Sequence, residues 1–110
     1  MTYRIQYYNE AVQAEVLALP PSLLARYLVL TERMQQYGAN LGEPHTKALG
    51  RGLFELRLKG AEGIARVCYC TLAAQQIVML HCFVKKSQKI SASDLQLTQR
   101  RLKEVKDAYT

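Results

Sequence analysis

Five residues of this chain have the types and spacing to handle protons and phosphate: Glu55, Arg57, Arg66, His81 and Lys85. Between Leu53 and Lys59 the apolar Phe54, Leu56 and Leu58 alternate with Glu55, Arg57 and Lys59, which places the three charged side chains on one face of a strand. Two further strand-like runs follow, Ile64 to Leu72 and Gln76 to Val84, with a turn at Ala73-Ala74-Gln75-Gln76. An antiparallel register that sets Arg66 opposite Phe83, Cys68 opposite His81 and Tyr69 opposite Leu80 brings Arg66 and His81 onto the same face. Such a face suits a phosphodiester, because the arginine fork matches phosphate oxygens and keeps its charge. Attack by a ribose 2′-OH on the neighbouring phosphorus needs a base, cations for the developing oxyanion, and an acid for the departing 5′-oxygen. Arg57 and Arg66 would stabilise charge; Glu55, His81 or a lysine would move protons, and the sequence does not divide those roles. The competing reading is a sheet face that merely meets water, and a lone strand histidine is more often structural than catalytic.

Other chemistries fit poorly. Cys68, Cys70 and His81 share a face in this register but Cys82 does not, and without a CxxC pair three strand ligands fall short of the four usual in structural zinc. The nine acidic residues are scattered rather than clustered for two metals, and no phosphate-binding glycine loop or nucleophile elbow is present. No metal and no cofactor are expected.

Charge supports a polyanionic partner. Fifteen Lys and Arg against nine Asp and Glu give +6 and a pI near 9.4. The excess is one-sided: residues 1–43 carry a net −1 and residues 44–110 a net +7. Lys47, Arg51 and Lys59, with Lys86 and Lys89 in the run Lys85-Lys86-Ser87-Gln88-Lys89, are the candidates for salt-sensitive backbone contacts around the face.

The elements that must position these residues are readable in outline. Thr2 to Tyr8 alternates as a strand, Asn9 caps a short helix carrying Val12, Val16 and Leu19, and Pro20-Pro21 ends it. From Ser22, Leu23, Tyr27, Leu30, Met34 and Tyr37 form a helical stripe that Gly38 terminates. Residues 38–50, with three glycines and Pro44, read as a loop. In the last strand Val78, Leu80, Cys82 and Val84 read as the core face. Ser91 and Asp94 resemble a capping box for a final helix with a seam of Leu95, Thr98, Leu102, Val105 and Tyr109. The order β-α-α-β-β-β-α predicts an α+β fold: a mainly antiparallel four-stranded sheet, a helical hairpin on one face, a C-terminal helix, and a polar second face.

At 110 residues, 49% hydrophobic and 22% charged, the chain is expected to form one domain spanning 1–110. No segment reads as a signal or a membrane span, and three cysteines make no disulfide framework. A cytoplasmic protein with free thiols is the expectation.

The stretches KALGRGLFELRLK, IARVCYC and IVMLHCFVKKSQK resemble the RelE/ParE toxin superfamily, and most closely its phage-derived, HigB-like branch, over nearly the whole chain. The resemblance implies a RelE-like fold and a toxin of a type II toxin–antitoxin system. It implies a metal-independent, ribosome-dependent mRNA endoribonuclease. By position Arg57 and Arg66 match basic residues used by RelE-like toxins, and Lys85 and Lys86 match the basic segment after the last strand. Glu55 stands where some relatives have lysine, and Ile90-Ser91 replaces the branch's usual threonine-proline. Implied partners are mRNA, the ribosome and a cognate antitoxin, commonly a helix-turn-helix protein that binds operator DNA; no membrane is implied. Two alternatives remain: a ParE-like inhibitor of DNA gyrase, and an inactive relic that still binds its antitoxin.

Overall fold

The computed structural model describes residues 2–84 and 90–108. The chain runs β1 (Arg4–Tyr7), α1 (Glu10–Leu17), α2 (Pro21–Tyr37), β2 (Thr46–Gly50), β3 (Leu53–Gly60), β4 (Gly63–Leu72), β5 (Gln76–Val84) and α3 (Ala92–Ala108). Local signals start and stop the helices as their chemistry requires. The Asn9 side chain accepts the Val12 amide at 2.9 Å, and Pro21 occupies the first turn of α2, where a missing amide proton costs nothing. Gly38, at φ 108, closes α2 with its amide on the Met34 carbonyl.

The strands form one sheet in the order β1-β5-β4-β3-β2, with β1 parallel to β5 and the remaining pairs antiparallel. It has five strands, not the expected four: Thr46–Gly50, inside the segment read as a loop, pairs along β3 as an edge strand. Only Thr46 of its five residues is buried, so it carries none of the apolar alternation by which a strand announces itself.

On one face, Val12 and Val16 of α1 and Leu23, Tyr27, Leu30 and Met34 of α2 pack on Leu56, Leu58, Ala65, Val67, Tyr69, Ile77 and Met79. Each fully buried leucine or methionine there contributes roughly 1.5–3 kcal/mol relative to exposure. Tyr37, at the end of the expected stripe, is 78% exposed. The other face is not simply polar. Thr98, Leu102 and Val105 of α3 are buried, and Leu102 and Val105 close over Leu53, Cys68, Cys70, Val78 and Leu80 in a second, smaller core. Tyr109, the last residue of the expected seam, lies outside the described residues.

The β4–β5 register begins as expected, with Arg66 opposite Phe83 and Cys68 opposite His81, and then shifts so that Tyr69 faces Met79 rather than Leu80. Leu80 is the extra residue of a bulge. Ile77 and Met79 therefore join the helical-hairpin core, while Val78 and Leu80 join the α3 side. The expected core face of β5 is thereby corrected: of the four apolar residues assigned to it, Cys82 lies in the hairpin core, Val78 and Leu80 lie opposite it, and Val84 is 53% exposed.

Candidate functional site

The α3-facing side of the sheet carries two cross-strand rows. Glu55, Cys68 and His81 form one; Arg57, Arg66 and Phe83 form the next. Directly opposed arginines repel, and each is answered by a carboxylate. Glu55 ion-pairs with Arg66, both side chains being almost wholly buried. Arg57 lies 3.4 Å from Glu43, in the loop before β2, and its Nε is shielded from solvent with no hydrogen-bond partner among the described residues. That loop is held beside β3 by the Arg57 amide, which donates to the His45 carbonyl at 2.8 Å.

His81 occupies a built niche. Its Nε2 lies 2.7 Å from Asp94 Oδ1, at the start of α3, and its ring tilts against Phe83 at 5.4 Å. Ser91 caps α3 by accepting the Asp94 amide, and its hydroxyl donates to Asp94 Oδ2 at 2.7 Å. The Asp94 carboxyl thus takes bonds from the ring and the serine rather than reaching back as a capping box would. The His81 bond, aided by Ser91, holds its pKa below the usual carboxylate value against a partial desolvation. An ionised Asp94 assigns the proton to Nε2 in the neutral ring and leaves the lone pair on Nδ1, which is buried and has no partner among the described residues.

Beside Arg57 and Arg66 a cleft of about 320 Å³ opens, lined by Arg26, Pro44, His45, Arg57, Lys59, Ile64 and Arg66. No carboxylate lines it. Arg26 comes from α2, in the opposite layer, and was invisible to strand alternation. The first turn of α2 is clamped to the β3–β4 hairpin tip, where the Ser22 amide donates to Glu62 Oε1 and the Glu62 amide donates to Ser22 Oγ. Arg26, four residues on, shares the Ser22 side of the helix and so reaches the same end of the sheet. Asp94 was also missed as a site residue, since spacing revealed only its part in capping.

Of the expected site residues, the structure gathers Glu55, Arg57, Arg66 and His81, with Lys59 in the adjoining cleft. Lys47 is exposed and pairs with Glu55 on the same face. Arg51 lies in the β2–β3 turn at the far end of β3, eight residues from Lys59 in sequence and about 25 Å away along an extended strand; its carbonyl accepts from Lys106. Lys85, Lys86 and Lys89 lie outside the described residues. The three cysteines are free and buried, and desolvation pushes the thiols of Cys68 and Cys82 up to about 12 and that of Cys70 to about 11. Among the described residues no three His, Cys, Asp or Glu side chains group as metal ligands would.

The sequence profile described as "Phage derived protein Gp49-like (DUF891)" matches residues 14–103. No curated protein matches the chain. Among solved structures, a chain of the archaeal RelE–RelB complex from Pyrococcus horikoshii OT3 is similar, with a TM-score of 0.57 and 21% identity over 76% of this chain and 96% of that one. At that identity the likeness concerns the fold, which is RelE-like as the sequence resemblance implied. With some four-fifths of its length under the profile, the chain belongs to the Gp49-like family of phage-derived proteins.

Proposed function

We propose that this protein is the toxin of a type II toxin–antitoxin system and acts as a ribosome-dependent mRNA endoribonuclease. The observation that carries the reading is the cross-strand apposition of Arg57 and Arg66 at the mouth of a cleft lined only by cationic, imidazole and apolar side chains. A phosphodiester seated there meets two guanidinium groups whose charge is held by neighbouring carboxylates until substrate arrives. In this reading the ribose 2′-OH attacks the adjacent phosphorus, the P–O5′ bond breaks, and a 2′,3′-cyclic phosphate and a 5′-hydroxyl result, without a metal. Arg57 and Arg66 stabilise the dianionic intermediate. Proton transfer falls to the titratable groups along this face, Glu55 and His81, and to Lys85, which follows β5 directly in sequence. Glu55 is engaged with Arg66, which favours a positioning role for it.

A toxin of this kind works in the cytoplasm, meets mRNA on the ribosome, and is neutralised by a cognate antitoxin that also binds operator DNA. The fold it shares with an archaeal RelE–RelB complex supports the antitoxin partnership. The test is to map new RNA 5′ ends minutes after controlled induction of wild type and of an Arg57→Ala/Arg66→Ala variant. In-frame cuts confined to wild type are expected. Growth arrest with intact mRNA and DNA-damage signalling would replace the nuclease by a gyrase inhibitor; neither cuts nor arrest would leave an inactive antitoxin-binding protein.

A further inference from the structure

We propose that the cleft of Arg26, His45 and Lys59 is a second phosphate subsite, which holds the RNA backbone one phosphate away from the one engaged by Arg57 and Arg66. The inference rests on the nuclease reading for its substrate class, and goes beyond it in assigning Arg26 and His45, which come from α2 and from the loop before β2.

Three observations converge. First, the cleft walls carry Arg26, Lys59, His45, Arg57 and Arg66, with Pro44 and Ile64 as apolar surface and no acidic residue among them. Arg57 and Arg66 have their counter-charges in Glu43 and Glu55. Arg26 and Lys59 make no hydrogen bond or ion pair among the described residues, so their charge faces the cleft uncompensated. Cations brought together in this way repel one another, and an anion removes that cost. Second, the cleft is built rather than incidental. Arg26 is half-buried on a helix whose first turn is bolted to the β3–β4 tip through Ser22 and Glu62, and the loop bearing His45 is pinned to β3 through the Arg57 amide. The backbone that carries Arg26 and His45 is therefore held in place before a ligand arrives. Third, the space suits the group. About 320 Å³ is room enough for a phosphate with part of a sugar.

The donor set also identifies the anion. A guanidinium fork, an ammonium and an imidazole line one cleft, and the fork suits two oxygens of one phosphate. The subsite shares a wall with the catalytic arginines, so successive phosphates of one strand can occupy both. Its contacts reach backbone only, and add affinity and placement without base preference.

The experiment is binding of a 2′-O-methyl pentanucleotide, which lacks the attacking hydroxyl, followed by fluorescence anisotropy across a salt series. Wild type, Arg26→Ala, Arg26→Lys and Lys59→Ala are compared; Lys59 is exposed, so its variant carries little folding risk. Arg26→Ala and Lys59→Ala should each weaken binding about 5- to 10-fold and each reduce the steepness of log K against log salt by about 0.7, one released counterion on a single strand. Arg26→Lys should keep the wild-type slope. Wild-type affinity and slope in both alanine variants would overturn the subsite, as would the absence of wild-type binding at millimolar oligonucleotide. Mapping of cellular RNA ends separates the two proposals: cleavage in cells with variant-insensitive binding removes the subsite alone, and variant-sensitive binding with intact mRNA removes the nuclease alone.

Discussion

The Glu55–Arg66 pair offers the sharpest test of how this face is held. Both side chains are nearly withdrawn from water, at 6% and 10% exposure. Breaking a buried pair by removing one partner costs about 3–5 kcal/mol, because the survivor is left charged in a poor solvent; replacing both by apolar groups of similar size is close to neutral. The setting makes the two single changes unequal. Glu55→Met strands Arg66 opposite Arg57, and a guanidinium cannot shed its charge. Arg66→Met strands a carboxylate, which can take up a proton. Glu55→Met should therefore lose the larger amount, toward 5 kcal/mol, Arg66→Met nearer 3, and the double variant no more than about 2. Urea unfolding at neutral pH reads all three; for a domain of this size 3 kcal/mol is a fall in Tm of about 12 °C or more. A Glu55→Met variant that fails to fold alone and is rescued by Arg66→Met gives the same answer. Single losses below about 1 kcal/mol, or a double loss equal to the sum of the singles, would refute the reasoning and return Glu55 to the pool of free proton acceptors.

Asp94→Asn should cost about 1 kcal/mol near neutrality by weakening the charge-assisted bonds to His81 and Ser91. Because the folded-state pKa of Asp94 lies below its ordinary value of 3.8, its contribution is present above about pH 4 and is lost as pH falls through the lower folded value, so the variant's acid unfolding limb should be shallower than wild type's. A Cβ on Gly60 would stand 2.7 Å from Ser22 Oγ and 3.0 Å from Ser22 Cβ, so Gly60→Ala should loosen the α2 clamp and cost about 1–3 kcal/mol by thermal melt. The raised thiols of Cys68, Cys70 and Cys82 should resist iodoacetamide at pH 8 in the native protein and react on denaturation, as mass spectrometry of the alkylated chain would show.

The charged alternation in β3 made Glu55, Arg57 and Lys59 legible, because one apolar and one polar parity leave a single sensible face. The helices were legible for a similar reason, with Asn9, Pro21 and Gly38 marking their ends. β2 was not, since an edge strand with one buried residue needs no periodic pattern. Arg26 and Asp94 were hidden for another reason. Each reaches the site from a helix, and only the tertiary clamps, Ser22 with Glu62 and His81 with Asp94, bring them to the sheet.

β5 shows why alternation alone misplaced part of the core. Its residues 77–80 are apolar at every position, so alternation allows either parity as the core face, and the unbroken register that turns His81 toward Arg66 and Cys68 puts Val78 and Leu80 in the hairpin core. An unbroken strand with Ile77 and Met79 in the hairpin core would send His81 into that core as well. The bulge at Leu80 resolves the conflict: Leu80 and His81 turn to the same side, and Cys82 returns to the core. Arg101 of α3 donates to the carbonyl of this extra residue at 2.7 Å, while its guanidinium lies over the Tyr8 ring at 4.7 Å. α3 is thus fastened to β5 at the bulge and at the residue after it, by Arg101 at Leu80 and by Asp94 at His81. The irregularity that defeats a pattern reading of β5 is the feature that both aims His81 at the arginine face and gives α3 its anchorage there.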